Sequence, residues 1–320
     1  MEIVFMAQTK KPFHEKYKKP FLVVLMIGVA SALAYGLALG HKNRLFERLW
    51  FNIQAAIHAG EWEQHSLGLS DYRAVIEAKA VSGAEGLSSL TYNHDTGTLF
   101  TVSNSDDYII ELNLEGEIIR RIGLSGFFDP EALEYIGHNQ YLIVEETPQK
   151  LSLIVIGADT VSISADQVET SLTIGMEPDN NKSFEGLAYD REHEVVYMAK
   201  ERDPIGLYVI KGLVGREGTR PLALSISSDP ASENRIFLKD LSALAYDGKR
   251  KHLLVLSHES KLLLELDSSG EPVSSMSLLK NHSGLEADFV QAEGVALGPD
   301  DALYLMGEPN LFYVFKKATK

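Results

Sequence analysis

Nearly the same phrase of eight residues opens five segments of the chain: "GLSSLTYN" at 86, "DPEALEYI" at 129, "SFEGLAYD" at 183, "DLSALAYD" at 240 and "QAEGVALG" at 291, at spacings near fifty residues. A period of that length marks units that cannot bury their apolar faces alone and must stack on their neighbours. The fourth position of the phrase is small throughout (Ser89, Ala132, Gly186, Ala243, Gly294), and the fifth is Leu90, Leu133, Leu187, Leu244 or Val295. Small and large residues therefore alternate by face, as they do along a strand. Sheets that converge on a common axis need a strand stripped of bulk on one face, so this strand is expected to be innermost in each unit.

A second phrase follows each opening: "TLFTVSN", "QYLIVEE", "VVYMAKE", "HLLVLSHE" and "ALYLMGE". After a short turn comes a third run such as "YIIELNL", "GLYVIKG", "LLLELDS" or "LFYVFKK". Helix-period patterns vanish beyond about residue 70, and turn sequences such as "NHDTG", "DSSGE" and "GPDD" take their place. Four-stranded units repeated in series predict an all-β chain folded as a β-propeller, whose radial closure leaves only short edges. The count supports five blades, with a sixth, degenerate blade in Val161 to Ser183 or Gly212 to Lys239 as the alternative. The last copy has room for only three strands before Lys320, whereas Tyr72 to Val81, "YRAVIEAKAV", is an orphan strand upstream of the first. That strand is expected to complete the last blade and tie the ends of the ring together.

Two acidic columns run through the repeat. The third position of the opening reads Ser88, Glu131, Glu185, Ser242, Glu293, and the end of the second strand reads Asn104, Glu146, Glu201, Glu259, Glu308. They lie fifteen to seventeen residues apart in every copy, the length of one strand out, a hairpin and one strand back. Both columns must therefore share one face of the disc, and the mouth of the central channel is expected to be ringed by carboxylates, with Asp129 and Asp240 close by. A glutamate at a strand start can instead accept backbone hydrogen bonds, and one in a hairpin can simply be solvated. Convergence alters that balance: two carboxylates about 5 Å apart at an effective dielectric near 20 repel by about 3 kcal/mol, so a cluster must hold a proton or bind a cation.

A hard cation is the simpler solution. Calcium takes roughly six to eight oxygen ligands in loose geometry, which a ring of strand ends can supply. Magnesium demands a stricter octahedron, and zinc favours histidine or cysteine ligands that the repeat does not provide. The chain has no cysteine, which excludes a disulfide framework and thiolate chemistry. Its net charge of −15 argues against a nucleic-acid partner, since phosphate neutralisation needs clustered Lys and Arg. His258, beside Glu259, is the one candidate base at the channel mouth. "KERDP" at 200 to 204 and "GEPN" at 307 to 310 are turn sequences placed to narrow the entrance. Tyr92, Tyr135, Tyr189 and Tyr246 share one repeat position, which suggests packing between blades.

Ahead of the repeat, Phe21 to Gly40 is an uncharged run of twenty residues. At about 1.5 Å per residue it covers a hydrocarbon core of roughly 30 Å. Lys10, Lys11, Lys16, Lys18 and Lys19 precede it, against Lys42, Arg44 and Arg48 after it, which places the N-terminus in the cytoplasm. The expected organisation is a cytoplasmic N-terminus over 1–20 and a transmembrane anchor over 21–40. A juxtamembrane helix or linker follows over 41–70, and a periplasmic propeller over 71–320, all held at the inner membrane. Ala32-Leu33-Ala34 also resembles a signal-peptide cleavage site, which would release the remainder. Leu45 to Gln64 carries Trp50, Phe51 and Trp62, as an interfacial helix or a plain tether would.

The phrases "EGLAYD", "EALEYIG", "LLVLSHES" and "QAEGVALG…YLMGEPNLFYVF" resemble the SdiA-regulated (YjiK-like) family, from about Tyr72 to Lys317. That resemblance implies a five-bladed propeller, distantly similar to NHL-repeat proteins, with calcium in the channel and no established activity. By alignment it implies Glu131, Glu185 and Glu293 as metal ligands, with Glu146, Glu201, Glu259 and Glu308 as a second row. The first copy departs from the acidic pattern at Ser88 and Asn104. The leading expectation is a membrane-anchored, exported, calcium-binding recognition or scaffold module for a small-molecule or protein ligand. The rival is a calcium-dependent hydrolase of lactonase or esterase type at the channel mouth, with His258 as its base.

Overall fold

The computed structural model describes residues 13–42, 45–58, 60, 62, 65–175, 184–214, 224–228 and 235–318. Lys10, Lys11, Arg44, Ser183 and, within the two stretches considered for a sixth blade, residues 176–183, 215–223 and 229–234 lie outside the described residues. Two compact units divide the chain, one ending at Trp50 and the other running from Phe51 to Lys320. In the first, helix α1 (Phe13–Lys42) carries the apolar run, and its Val23–Gly40 segment is long and apolar enough to cross a membrane. Val24, Met26, Leu33 and Leu37 are exposed along it. Helix α2 (Leu45–Ile57) follows.

From Phe51 onward the residues belong to the second unit. Phe51 is buried, stacked on Trp62 at 5.9 Å and tilted against Phe237 at 5.1 Å. Trp50 remains exposed. The last part of the expected linker is likewise core: Leu67 and Leu69 are fully buried, and their backbone N–H groups donate to Glu265 Oε1 (2.7 Å) and Ser274 Oγ (2.6 Å). The propeller unit therefore begins well before the first strand.

Five sheets make up the rest. The first strand, β1 (Tyr72–Ala80), stands apart from the blade that follows it in sequence. Blade one holds β2 (Leu87–Asn93), β3 (Thr98–Ser103), β4 (Tyr108–Leu112) and β5 (Ile118–Ser125). Blade two holds β6 (Pro130–Gly137), β7 (Gln140–Glu145) and β8 (Lys150–Val155). The stretch after β8 builds no sixth blade: β9 (Ser162–Ser164) adds to β5 in parallel, and β10 (Thr170–Thr173) is the outer strand of blade two. Blade three is β11 (Phe184–Asp190), β12 (Val195–Lys200), β13 (Gly206–Lys211) and β14 (Ser225–Ser228). Blade four is β15 (Ala243–Asp247), β16 (His252–Ser257), β17 (Leu262–Leu266) and β18 (Pro272–Ser277). Blade five is β19 (Ala292–Leu297), β20 (Leu303–Gly307) and β21 (Leu311–Lys317), completed by β1, which pairs antiparallel with β21 from Tyr72↔Lys317 to Ala80↔Leu311.

The innermost strands β2, β6, β11, β15 and β19 abut one another in that order, and β19 abuts β2 again. The ring is closed at five. The small fourth position makes this closure sterically feasible, because it faces the backbone of the next innermost strand. A Cβ on Gly294 would lie 2.6 Å from the Ser89 carbonyl carbon, and one on Gly186 would lie 3.1 Å from the Leu244 nitrogen. Blade one uses Ser89 there instead, whose hydroxyl donates to the Leu133 carbonyl (3.1 Å) and accepts from the Leu133 N–H (2.9 Å). Middle strands are covered on both faces by adjoining blades, so β16 ("HLLVLS") is buried at every position and shows no alternation. The recurring Asn or Asp after the tyrosine is a turn device: Asn93, Asp190 and Asp247 each accept backbone N–H groups from residues two and three ahead. The tyrosines link blades, with the Tyr135 hydroxyl donating to Asp95 and that of Tyr246 to Asp190 at 3.0 Å.

Without β1, the edge of β21 is left unpaired and blade five loses its outer strand. A chain beginning after Ala80 is therefore expected to lose its cooperative melt and to scatter light on heating, in contrast to the full chain. A soluble truncated protein with an unchanged melting curve would show that the ring closes without it.

Candidate metal centre

Glu131, Glu185 and Glu293 do not take part in regular strand pairing. The register between the first two strands slips between Pro130 and Ala132 in blade two, between Phe184 and Gly186 in blade three, and between Ala292 and Gly294 in blade five. Each glutamate is thus the extra residue of a β-bulge, a distortion that re-aims a side chain and ends the ladder locally. The carboxylate that opens the buried strand is there because the strand has not yet settled into its pairing. In blade four Ser242 takes the position, and its hydroxyl donates to the Ala292 carbonyl of blade five at 2.6 Å.

The two acidic columns meet as the hairpin length requires. Oxygens of Asp129, Glu131 and Glu146 all lie within 4.8 Å of one another. Glu185 faces the same space: burial first, then Glu201, Glu293, Glu131 and Glu146, hold its carboxyl far above the ordinary carboxylate range. Burial likewise pushes Glu131 up to about 8, despite the Asn104 Nδ2 that donates to its Oε1 at 3.2 Å. Blade one, which lacks acids in both columns, therefore contributes a donor to the cluster, and its Ser88 hydroxyl also donates to the Glu131 carbonyl at 2.9 Å. Glu293 is raised by burial and opposed by His258, whose Nδ1 stands 3.6 Å from Glu293 Oε1. The hydrogen bond to Glu293 in turn raises His258.

Other carboxylates of the expected set are already engaged by protein groups. Arg202, in the "KERDP" turn, donates from Nε to Glu201 Oε2 (2.6 Å) and from Nη1 to Glu259 Oε1 (2.7 Å), joining blades three and four. Asp240 is fully buried and caps the hairpin after β16, accepting from the Ser257 hydroxyl and from the His258 and Glu259 N–H groups at 3.1 Å. Glu308 accepts from Gln291 Nε2 at 2.6 Å. Asp129, Glu131 and Glu146 form the compact oxygen cluster that Glu185 faces, with Asp129 also accepting from the Thr147 hydroxyl at 3.2 Å and Glu131 from Asn104. Arg202 was not legible as a partner, because its two carboxylates lie 1 and 57 residues away.

Calcium–oxygen distances of about 2.3–2.6 Å place two oxygens on opposite sides of the ion roughly 4.6–5.2 Å apart. The oxygens of Asp129, Glu131 and Glu146 are no farther apart than that. These donors are all hard oxygens, and the nearby imidazole is committed to Glu293. The set therefore fits a hard divalent ion and does not fit a zinc site.

A family model described as SdiA-regulated matches residues 64–316. Among solved structures, the glutaminyl cyclase of Myxococcus xanthus is similar, at 15% identity over 78% of this chain and 97% of that one, with a TM-score of 0.50. A luciferin-regenerating enzyme is fainter, at 10% identity over 76% and 95% of the two chains and a TM-score of 0.46. Virginiamycin B lyase from Staphylococcus aureus is fainter still, at 14% identity, 73% and 67% coverage and 0.40. The first of these is a likeness of fold alone.

Carboxyls held above their unfolded values bind protons more tightly in the native state, so stability falls wherever only the native state stays protonated. For Glu131 that window runs from its ordinary 4.5 to about 8. Urea midpoints in chelator are expected to fall steadily from pH 5 to pH 8, and Glu131→Gln is expected to flatten that slope. A midpoint that rises over this range would contradict the buried, protonated cluster.

Proposed function

The chain belongs to the SdiA-regulated family, and from that premise we propose a membrane-anchored, exported propeller that binds calcium at its carboxylate mouth and uses that mouth for recognition. One observation carries the reading: three β-bulges in three different blades aim Glu131, Glu185 and Glu293 toward one channel end. A slip also occurs in blade one between Ser88 and Thr91, where no acid stands, so the bulge belongs to the fold and what singles out the site is that three blades present a glutamate on it. Glu146 of the second row and Asp129, at the first position of the opening phrase, add candidate ligands, and Asn104 supplies a donor to Glu131. A bound ion would replace the protons these carboxyls otherwise hold, and would give the mouth a fixed positive centre to which an oxygen-bearing ligand can coordinate.

A calcium-dependent hydrolase is the second reading, and His258 is the observation in its favour. Its ring lies at the cluster, but it is paired with Glu293 and favours its protonated form. A general base needs a free lone pair near neutral pH, so this histidine suits proton donation or ligand binding better than activation of water. Recognition is therefore the preferred function.

Calcium should bind the native state and add about 2.7 kcal/mol at a hundredfold excess over Kd, or about 5–10 °C in melting temperature at this size. Glu185→Gln keeps the shape and removes one ligand charge. It is expected to shrink the calcium shift while raising the melting temperature in chelator, because like-charge repulsion is relieved. If the glutamate served only the backbone, the substitution would destabilise the protein with and without calcium. No calcium shift in the unmutated chain would overturn the metal centre.

The apolar helix supports a membrane location. Its exposed Val23–Gly40 segment and the lysines before it support a single span with the propeller outside the cytoplasm. Full-length protein is expected in the membrane pellet and accessible to protease only from the outer side. A shorter soluble form beginning near Tyr35 would establish signal cleavage instead.

A further inference from the structure

At the end of the channel away from the carboxylates, the innermost strands of all five blades enclose a cavity of about 680 Å³. That size suits a small organic ligand, for which pockets of roughly 300–1,000 Å³ are usual. The wall is mixed: Leu90, Val295 and Leu297 stand beside the rings of Tyr135, Tyr189 and Tyr246, and charged side chains of both signs line the rest. Two small residues of the lining, Ala245 and Ala296, occupy the sixth position of the repeat.

Charges of both signs line this mouth. Its acids have partners: Asp190 holds His193 (2.6 Å), Arg250 joins Asp247 (2.7 Å) to Asp301 (2.6 Å), and Glu192 holds Lys251 (3.0 Å). Glu134 accepts from Thr91 Oγ1 at 2.8 Å, and burial keeps its proton on to about pH 8. Arg191 differs. Among the described residues it forms no ion pair, though Glu134 and Asp95 are near enough to feel its charge, and its guanidinium carbon stands 5.8 Å over the Tyr135 ring. Its nitrogens pass close to Gly137, where a Cβ would lie 3.1 Å from Nη2, and the exposed side chain can turn its donors to a bidentate acceptor in the cavity. Lys249 lines the same cavity, with its ammonium largely in solvent and 3.8 Å from Asp301.

We propose that this second mouth binds a small carboxylate with a flat apolar body, its carboxylate on the edge of Arg191 and its body among Tyr135, Tyr189 and Leu297. The site is separate from the metal centre and stands without it. The two mouths thereby discriminate by charge: one takes a cation and the other an organic anion.

The test uses the full chain in detergent micelles with three fluorinated probes of one shape: 4-fluorophenylacetate, its neutral amide and 4-fluorobenzylamine. Fluorine NMR of the probes reads binding above a micelle blank. The acetate is expected to bind roughly tenfold tighter than the amide, the difference that a charge-assisted pair supplies, and the amine weakest. Arg191→Gln is expected to abolish the preference while leaving the melting temperature unchanged, because the side chain is exposed. Glu185→Gln, at the other mouth, is expected to leave all three affinities alone. Equal binding of the three probes, acetate binding undiminished in Arg191→Gln, or acetate binding lost in Glu185→Gln would each overturn the proposal.

Discussion

Everything in this propeller depends on how closely five strand backbones approach around one channel. The approach requires a side chain of almost no size at the fourth position of each repeat, and Gly294 meets the Ser89 backbone at a distance no methyl group could share. Where a slightly larger group stands, it is a hydroxyl that bonds the neighbouring strand, as Ser89 does with Leu133. Hydrogen bonds between blades thus replace the sheet ladder that separate blades lack. The same crowding displaces the preceding residue into a bulge, and that residue is the glutamate in three blades of five.

Gathering carboxylates in this way works against stability, and the structure answers it by three different means. Arg202 bridges Glu201 and Glu259 with one permanent positive charge, and Asp240 turns its oxygens into a hairpin cap. Glu131 and Glu185 have neither remedy, and burial raises both carboxyls well above the ordinary carboxylate range. A group that must choose between a proton and a cation is poised for reversible binding, whereas the Arg202 bridge fixes its neighbours permanently.

The approach to the ring is tied down as firmly as the ring itself. Leu67 and Leu69 donate their backbone N–H groups to Glu265 and Ser274 of blade four, while Tyr72 reaches Asp301 of blade five with its hydroxyl at 2.7 Å. Strand β1 thus enters blade five from a segment already locked to blade four. Mechanical load on the N-terminal side would fall on these contacts before it reached the closing strand.

The blade number, the closing strand and the shared face of the two acidic columns were all legible in the sequence, because each follows from a period: small-large alternation, a missing fourth strand, and a fixed hairpin length. The assignment of SdiA-regulated kinship rested on the same phrases. Which carboxylates stay available was not legible. Arg202 and Glu259 come from turns of different blades, Asn104 and Glu131 likewise, and no local pattern records a pairing made across the gap between blades. The outer strands were equally obscure, since β9 joins blade one in parallel after a whole blade's worth of intervening chain. The cavity at the second mouth depends on five strand ends meeting, so its alanines looked like ordinary core. Repetition writes itself into sequence wherever each blade must meet the same neighbour in the same way, and only closure of the ring decides what the unlike residues find opposite them.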